Sequence, residues 1–393
     1  MEVLLKDLKW FKGNIAFSGD VRISRGKIKE IGSVLTAGKK ERVIHLGNHY
    51  LYPGMINGHD HLEMNLYPHM GTPPYKNYTQ WAKDIYRPIE SPVREIEAIP
   101  IRYRLLWGGI KNLISGVTTV VHHNPWHRLL GNNFPVKVLK KYSWAHSLAF
   151  DKKVVQNFLS KPNIPFIIHA AEGVDDLARG EIQKLNELGV LKNNTVLIHC
   201  VGLSNNEIHL IQDAQASVVW CPTSNFFMFN KTANVLVLKK SVRVALGSDS
   251  TMTGPSLLLE EMKVAVKTGQ VNSQEVFDMV TSTPMEIFNL PDQSIKNGAE
   301  ADLLILPIDN VNYYENLLDQ KPETIVAVFV QGKFMFGEES LAKSLHLKLH
   351  RWKMGSAVKA IAFDVADLRT NILKKSQAHP LNGNPLWQML NGD

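Results

Sequence analysis

The 393-residue chain is long enough for one large domain with a smaller appendage, and 44% hydrophobic with 21% charged residues is ordinary for a globular protein. No apolar stretch approaches the roughly 20 uncharged residues of a membrane span, and the N-terminal run MEVLLKDLKWFKGNIAF carries internal charges and no small-residue cleavage site, so a cytoplasmic protein with no membrane partner is expected. Of the net charge of +7, residues 341–393 supply five through eight Lys/Arg against three Asp, which leaves nucleic-acid binding unexpected; Cys200 and Cys221, both in apolar runs, are read as reduced buried thiols.

Residues 1–52 alternate short β-rich runs with glycine turns (NIAFSGD, VRISRGKIKEIG, ERVIHLGNHYLYPG), the pattern of a small antiparallel sheet. From 53 to 297, apolar runs alternate with helical periodicity, which predicts βα units and a parallel sheet. The runs are MINGHDH (55–61), GVTTVVHH (116–123), PFIIHAAEG (165–173), TVLIHCVG (195–202), SVVWCPTSN (217–225) and RVALGSDS (243–250). Helices are predicted over Ser91–Ser115, Asp175–Leu188, Ser204–Gln215 and Pro255–Thr268. Residues 298–340 return to short strands, GAEADLLIL and ETIVAVFVQGKFMFG, and the simplest assembly pairs both chain ends in one small β domain beside a central barrel. Residues 341–393 are read as a mostly helical tail up to HPLNGNPLW, with Leu345, Leu349, Trp352, Ile361 and Phe363 docked on the barrel or on another subunit of a homo-oligomer.

Side chains at the C-terminal ends of parallel barrel strands converge on one face. His59 and His61, one residue apart, share a side of their strand, as two ligands of one ion require. His169 closes PFII, His199 closes TVLI, and Asp249 follows VALGS. A lone histidine at a strand end is more often a hydrogen-bonded core residue than a ligand, but five such residues in one order point to a metal. Nitrogen and oxygen donors without thiolate suit zinc or divalent iron.

The order His-x-His, His, His, Asp, with the lead-in LYPGMINGHDH, resembles the amidohydrolase superfamily. PFIIHAAEG, WCPTSN, LGSDS, IKNGAEADLLIL and NYTQWAKDIYRPIE are similar to the branch containing cytosine, guanine and methylthioadenosine deaminases and the triazine hydrolases. The resemblance covers about residues 20–335 and implies a distorted (β/α)8 TIM-like barrel with a β-sandwich built from both chain ends. It also implies that His59, His61, His169 and Asp249 ligate one divalent metal, that His199 orients the water, and that Glu172 shuttles protons.

The chemistry follows from the residue types. A metal brings water toward a neutral pKa, Asp249 takes its proton, and the resulting hydroxide attacks an electrophilic ring carbon. The exocyclic amine must leave as ammonia, so a carboxyl group, Glu172, must protonate it. The bland reading of Glu172 is a helix N-terminal carboxylate. His123 and Trp126 in HHNPWH, with His146 and Glu63, are candidate substrate-binding residues. The double histidine departs from the acidic residue that many family members carry there. His146 reads equally as a core histidine, while Trp81 and Trp107 read as core aromatics and CPTSN as a tight polar loop. A binuclear site would need a carboxylated lysine in SWAHSLAF, which has none, and Lys137, Lys140 and Lys141 read as surface charge.

Only about forty residues separate His123 from His169, too few for two ordinary crossovers, so an abbreviated barrel is expected around strands 3 and 4. The leading expectation is a small-molecule deaminase of an aminated N-heterocycle: a purine, a pyrimidine or a related nucleoside. Hydrolysis of a cyclic amide or another C–N or C–Cl bond is the alternative. A non-catalytic binding protein on a degenerate barrel is the reading from outside the enzymes.

Overall fold

A computed structural model describes residues 2–376. The N-terminal strands are β1 (Val3–Lys12), β2 (Ile15–Ser24), β3 (Lys27–Gly32), β4 (Arg42–His45) and β5 (His49–Pro53). Eight parallel strands follow: β6 (Met55–Asp60), β7 (Val117–His122), β8 (Lys137–Val138), β9 (Ser143–Trp144), β10 (Phe166–Ala170), β11 (Thr195–His199), β12 (Ser217–Trp220) and β13 (Val244–Leu246). The chain then returns to antiparallel structure in β14 (Leu303–Pro307), β15 (Ala327–Val330), β16 (Lys333–Glu338), β17 (His350–Met354) and β18 (Ala357–Ile361).

Both chain ends enter one ten-stranded sheet, in the order β17-β18-β16-β15-β14-β5-β1-β2-β3 with β4 alongside β1. The joint is the antiparallel β5–β14 ladder, where Tyr50 faces Leu306 and Tyr52 faces Leu304. Tyr52 and Tyr313 stack at 4.1 Å over it, and each phenol donates to a backbone carbonyl, so their burial leaves no orphaned hydroxyl.

The parallel strands form two ladders, β6-β7-β8 and β9-β10-β11-β12-β13. Their residues are almost all buried, as expected where both faces are covered. β13 lies beside β6, where the Asp249 N–H donates to the His59 carbonyl at 3.0 Å. Gly247 permits this approach, since a Cβ there would come within 2.6 Å of the His59 Cβ. Gly108 does the same for the helix Ile101–Leu113, which rests on the Leu62 carbonyl just past His61.

The stretch between His123 and His169 is short in the way its length predicts. Among the described residues no α-helix lies between β7 and β9: residues 123–136, with the 3-10 turn Arg128–Leu130, join β7 to β8, and the four residues 139–142 join β8 to β9. β8 pairs with β7 and β9 with β10, and the two do not pair with each other, so the ladder is interrupted there. Lys137 is not free surface charge: it reaches Glu300 and Asp302 at 2.5 Å and ties β8 to the terminal sheet.

Several expectations need correction. The helix predicted over Ser91–Ser115 is two, Val93–Glu97 and Ile101–Leu113, because Pro100 brings no N–H and holds Ile99 out of the helical region. Asp175–Leu188 likewise divides at Gly180. CPTSN is not a loop but opens the helix Pro222–Phe229, with proline at the first helical position, where its missing N–H costs nothing. Over its described residues, 341–376, the tail is not mostly helical. A hairpin, β17–β18, precedes the helix Val365–Ser376, and Trp352 and Met354 are buried in alternation with exposed Arg351 and Lys353. Leu345, Trp352 and Ile361 belong to this chain's own core, with Leu349 and Phe363 packed against it. HPLNGNPLW lies outside the described residues.

Candidate metal centre

The strand ends bring the predicted residues together. His59 Nε2 and His61 Nε2 each lie 3.7 Å from Asp249 Oδ1, and His199 Nε2 lies 4.0 Å from Asp249 Oδ2. His169 stacks between His123 and His199, with ring centroids 4.2 and 5.3 Å away. His59, His199 and Asp249 present ligand atoms within 4.8 Å of one another, and His59, His123 and His169 do so as a second group. All are buried. His199 and Asp249 hold positive φ, +75° and +55°, an uncommon backbone state for side-chain-bearing residues and one that concentrates at functional sites.

The second nitrogen of each imidazole decides what the first can do. His169 Nδ1–H donates to the His146 carbonyl at 2.8 Å, and His199 Nδ1–H to Asn225 Oδ1 at 2.9 Å, which leaves each Nε2 a bare lone pair. His59 Nε2 and His61 Nδ1 are buried and have no hydrogen-bond partner. Asp249 is held through Oδ2 by Ser224 Oγ at 2.9 Å and Thr253 Oγ1 at 3.1 Å, and through Oδ1 by the Ser250 N–H at 2.7 Å. The unpartnered Nε2 of His59 and the Nε2 of His61, both facing a fixed carboxylate, fit a divalent cation.

The electrostatics agree. Burial, with the neighbouring imidazoles, lowers His61, His123, His146 and His169, and burial lowers His199 to about 4 against the pull of Asp249. For Asp249, burial works to raise the pKa, but the nearby His59, with His61 and His199, outweighs it and lowers the carboxyl well below its ordinary value. Glu172 behaves oppositely. Burial, reinforced by Asp249 and Glu181, raises it well above the carboxylate range. Its Oε1 lies 3.6 Å from His199 Nε2.

Acid is expected to destabilise the metal-free protein. The unfolded chain's imidazoles bind protons near 6.5, whereas His146 and His199 in the fold do so only near 4. Between those values the unfolded state holds more protons, so stability falls as pH falls. His146 alone would contribute on the order of 3 kcal/mol. Urea melts at pH 7.5 and 5.0 measure this, and an unchanged midpoint would contradict it.

Above the cluster opens a cavity of about 440 Å³ lined by Met64, Tyr67, Trp81, Ile85, Phe150 and Met228, with Glu63, His146 and Glu172 among its polar groups. Of the four residues expected to bind substrate, Glu63 and His146 line it and the other two do not. Trp126 packs beside Leu139 and Tyr142 with Lys140 over its ring, because the chain turns away from the cavity after β7. His123 is wholly buried behind His59 and His169. His122 accepts the Leu62 N–H at Nδ1 and directs Nε2 toward Glu63, 3.6 Å away. Trp107 is core, as expected, whereas Trp81 lines the cavity.

The sequence reading missed the polar layer beneath the site. Lys111, fully buried, donates to Asn65 Oδ1 at 2.7 Å and approaches Asp60, Ser248 and the Asp249 carbonyl at 3.3–3.4 Å. Asn57 joins Asp60 and Ser248 in the same layer, which links β6 to the end of β13. A lysine on the apolar face of IRYRLLWGGIKNL, four residues after Trp107, was the available signal. Glu261 was also missed. It accepts the Thr223 N–H at 3.1 Å, is pushed up to about 8 by burial, and anchors the start of the helix that carries Ser224 and Asn225.

Imidazoles and a carboxylate from separate parallel strands, meeting under a cavity with a protonated acid, define a metal-dependent hydrolase. Residues 143–335 match the amidohydrolase family model. The chain thus carries an amidohydrolase-family domain and is an enzyme that hydrolyses carbon–nitrogen bonds. It is 27% identical over 352 residues to the 5-methylthioadenosine/S-adenosylhomocysteine deaminase of Pyrococcus furiosus, covering 73% of this chain and 81% of the relative. It is 24% identical over 364 residues to the 5'-deoxyadenosine deaminase of Methanosphaera stadtmanae, covering 77% and 84%. Among solved structures, a zinc-bound adenosine deaminase from Xanthomonas campestris shares the fold with a TM-score of 0.72 at 16% identity, over 95% of this chain and 98% of that one. The zinc complex of an Arthrobacter aurescens atrazine chlorohydrolase superposes with a TM-score of 0.73 at 14% identity, over 95% and 100%.

Proposed function

We propose that the protein deaminates an aminated N-heterocycle of the purine-nucleoside type, releasing ammonia and leaving a ring carbonyl. The observation that carries the reading is Glu172: a buried carboxyl 3.6 Å from His199, its charged form disfavoured by burial and by Asp249, in the wall of a largely apolar cavity of nucleoside size. Displacement of an amine needs such an acid, because an amide anion is too basic to leave. The named relatives, which act on adenosine derivatives, support the substrate class.

His59, His61, His169 and Asp249 would hold one divalent ion, zinc or iron. When bound, that ion supplies Lewis acidity, bringing a water molecule to a nucleophilic state near neutral pH. Asp249, fixed by Ser224, Thr253 and the Ser250 N–H, accepts the proton given up as the water oxygen bonds to the ring carbon. His199, fixed by Asn225, orients the attacking oxygen. Glu172 gives its proton to the ring nitrogen, is reprotonated by the proton that Asp249 took from the water, and delivers that proton to the exocyclic nitrogen; the C–N bond breaks to ammonia, and the remaining O–H proton returns to Glu172 as the C–O bond becomes the carbonyl. Glu63, held by Asn124, and His146 would contact the substrate from the cavity wall.

In the same reading the eight parallel strands form a distorted barrel over residues 53–297, abbreviated at β8–β9, and residues 1–52 and 298–340 make a sandwich beside it. No helix among the described residues is long and apolar enough to cross a membrane. The two buried free thiols suit a cytoplasmic location.

Ammonia release by zinc-loaded protein from a panel of aminopurine nucleosides, free purines and pyrimidines tests the proposal. Turnover of at least one aminopurine nucleoside is expected. Release from none of the panel, with hydrolysis of a cyclic amide or a chlorotriazine instead, would overturn it.

A further inference from the structure

His123 was read from sequence as a wall of the substrate cavity, yet it is fully buried and reaches no cavity surface. Its two nitrogens have partners that leave one consistent assignment of protons. Nε2 lies 3.0 Å from the Ala145 carbonyl oxygen, which can only accept, so Nε2 carries a hydrogen. A neutral imidazole carries one ring hydrogen, here already placed on Nε2, and Nδ1 is therefore a lone pair. That lone pair faces His59 Nδ1 at 3.3 Å, so His59 must supply the hydrogen between them. With its proton on Nδ1, His59 has a bare lone pair at Nε2. This is the buried, unpartnered atom 3.7 Å from Asp249.

We propose that His123 is a positioning residue that locks His59 in its Nδ1–H tautomer and thereby aims His59 Nε2 at the metal. The relay begins on the abbreviated part of the fold. The residues that follow β9, Ala145 and His146, present consecutive carbonyls, one receiving His123 and the other His169 Nδ1–H. The short segment between β8 and β10 thus sets the proton positions of two imidazoles in the cluster, one directly and one through His123. The inference rests on the metal-site reading, but its test separates the two.

The test compares His123→Asn, which keeps an acceptor close to where Nδ1 stood, with His123→Leu, which has none. Zinc affinity is measured by chelator competition, and the tautomer of His59 by ¹⁵N NMR of the metal-free, histidine-labelled protein. Expected results are Nδ1–H for His59 in the wild type and in His123→Asn, zinc affinity within about threefold of wild type for His123→Asn, and a loss of about 10- to 100-fold for His123→Leu. Wild-type zinc affinity in a folded His123→Leu protein overturns the proposal. Equal damage from Asn and Leu also overturns it, because the imidazole itself would then be required, as for a direct ligand. If His123→Leu does not fold, the wild-type spectrum decides, and a His59 protonated at Nε2 refutes the relay. Failure of the wild type to bind zinc or iron would refute the metal-site reading instead, while the tautomer measurement would still decide the role of His123.

Discussion

Replacing Glu172 with glutamine is expected to lower kcat for ammonia release by about 10²- to 10⁴-fold, the usual worth of a positioned general acid. The substitution is close to isosteric, and burial, Asp249 and Glu181 already disfavour the charged form of the carboxyl it replaces. Stability and zinc content should therefore be nearly unchanged, and the loss should fall on kcat more than on KM, since the missing proton matters only as the C–N bond breaks. Steady-state ammonia assays beside metal analysis of the same preparation measure both. Retention of more than about a tenth of wild-type turnover would remove Glu172 from proton delivery.

A larger loss is expected from Asp249→Ala. This carboxylate is the one anion that faces His59, His61 and His199 together. Without it the cluster is a set of imidazoles with nothing to balance a dication, and zinc affinity should fall by more than the roughly 100-fold that supporting residues command. Chelation of the wild type should abolish turnover, and added zinc should restore it, whereas the alanine variant should remain inactive after the same treatment. Metal binding should also raise wild-type stability by about 4 kcal/mol when free zinc exceeds its Kd a thousandfold. A thermal shift on zinc addition that is equally large in Asp249→Ala would show that the ion sits elsewhere.

The chemistry was more legible in the sequence than its supports were. His59, His61, His169, His199 and Asp249 each end an apolar run, and a parallel sheet sends such positions to one face, so pattern alone could group them. His123 looked the same in sequence as His122, and only the direction of each ring separates one that faces Glu63 from one that faces His59. CPTSN reads as a turn through its proline and small polar residues. The same proline also suits the first position of a helix, and that packing prevailed. In the tail, RWKM already carried the two-residue alternation of a strand, but the lysine-rich helical residues after it dominated the reading. Lys111 stayed hidden because its partners, Asp60, Asn65 and Ser248, come from distant parts of the chain.

The β5–β14 ladder also sets a timetable. Tyr50 cannot meet Leu306 until 256 further residues have been made, a delay of roughly 10 to 50 s at ordinary synthesis rates. Through that interval β5 lacks its β14 partner, and its ladder with β1 is a single residue pair, Lys9 opposite Tyr50. A nascent edge of this kind invites pairing with other chains. His59 and His61 leave the ribosome soon after β5 and long before Asp249, so an early ion would find only part of its final donor set. Completion of the metal centre at Asp249 therefore comes first and closure of the sheet at β14 follows it, and both are late events in the synthesis of the chain.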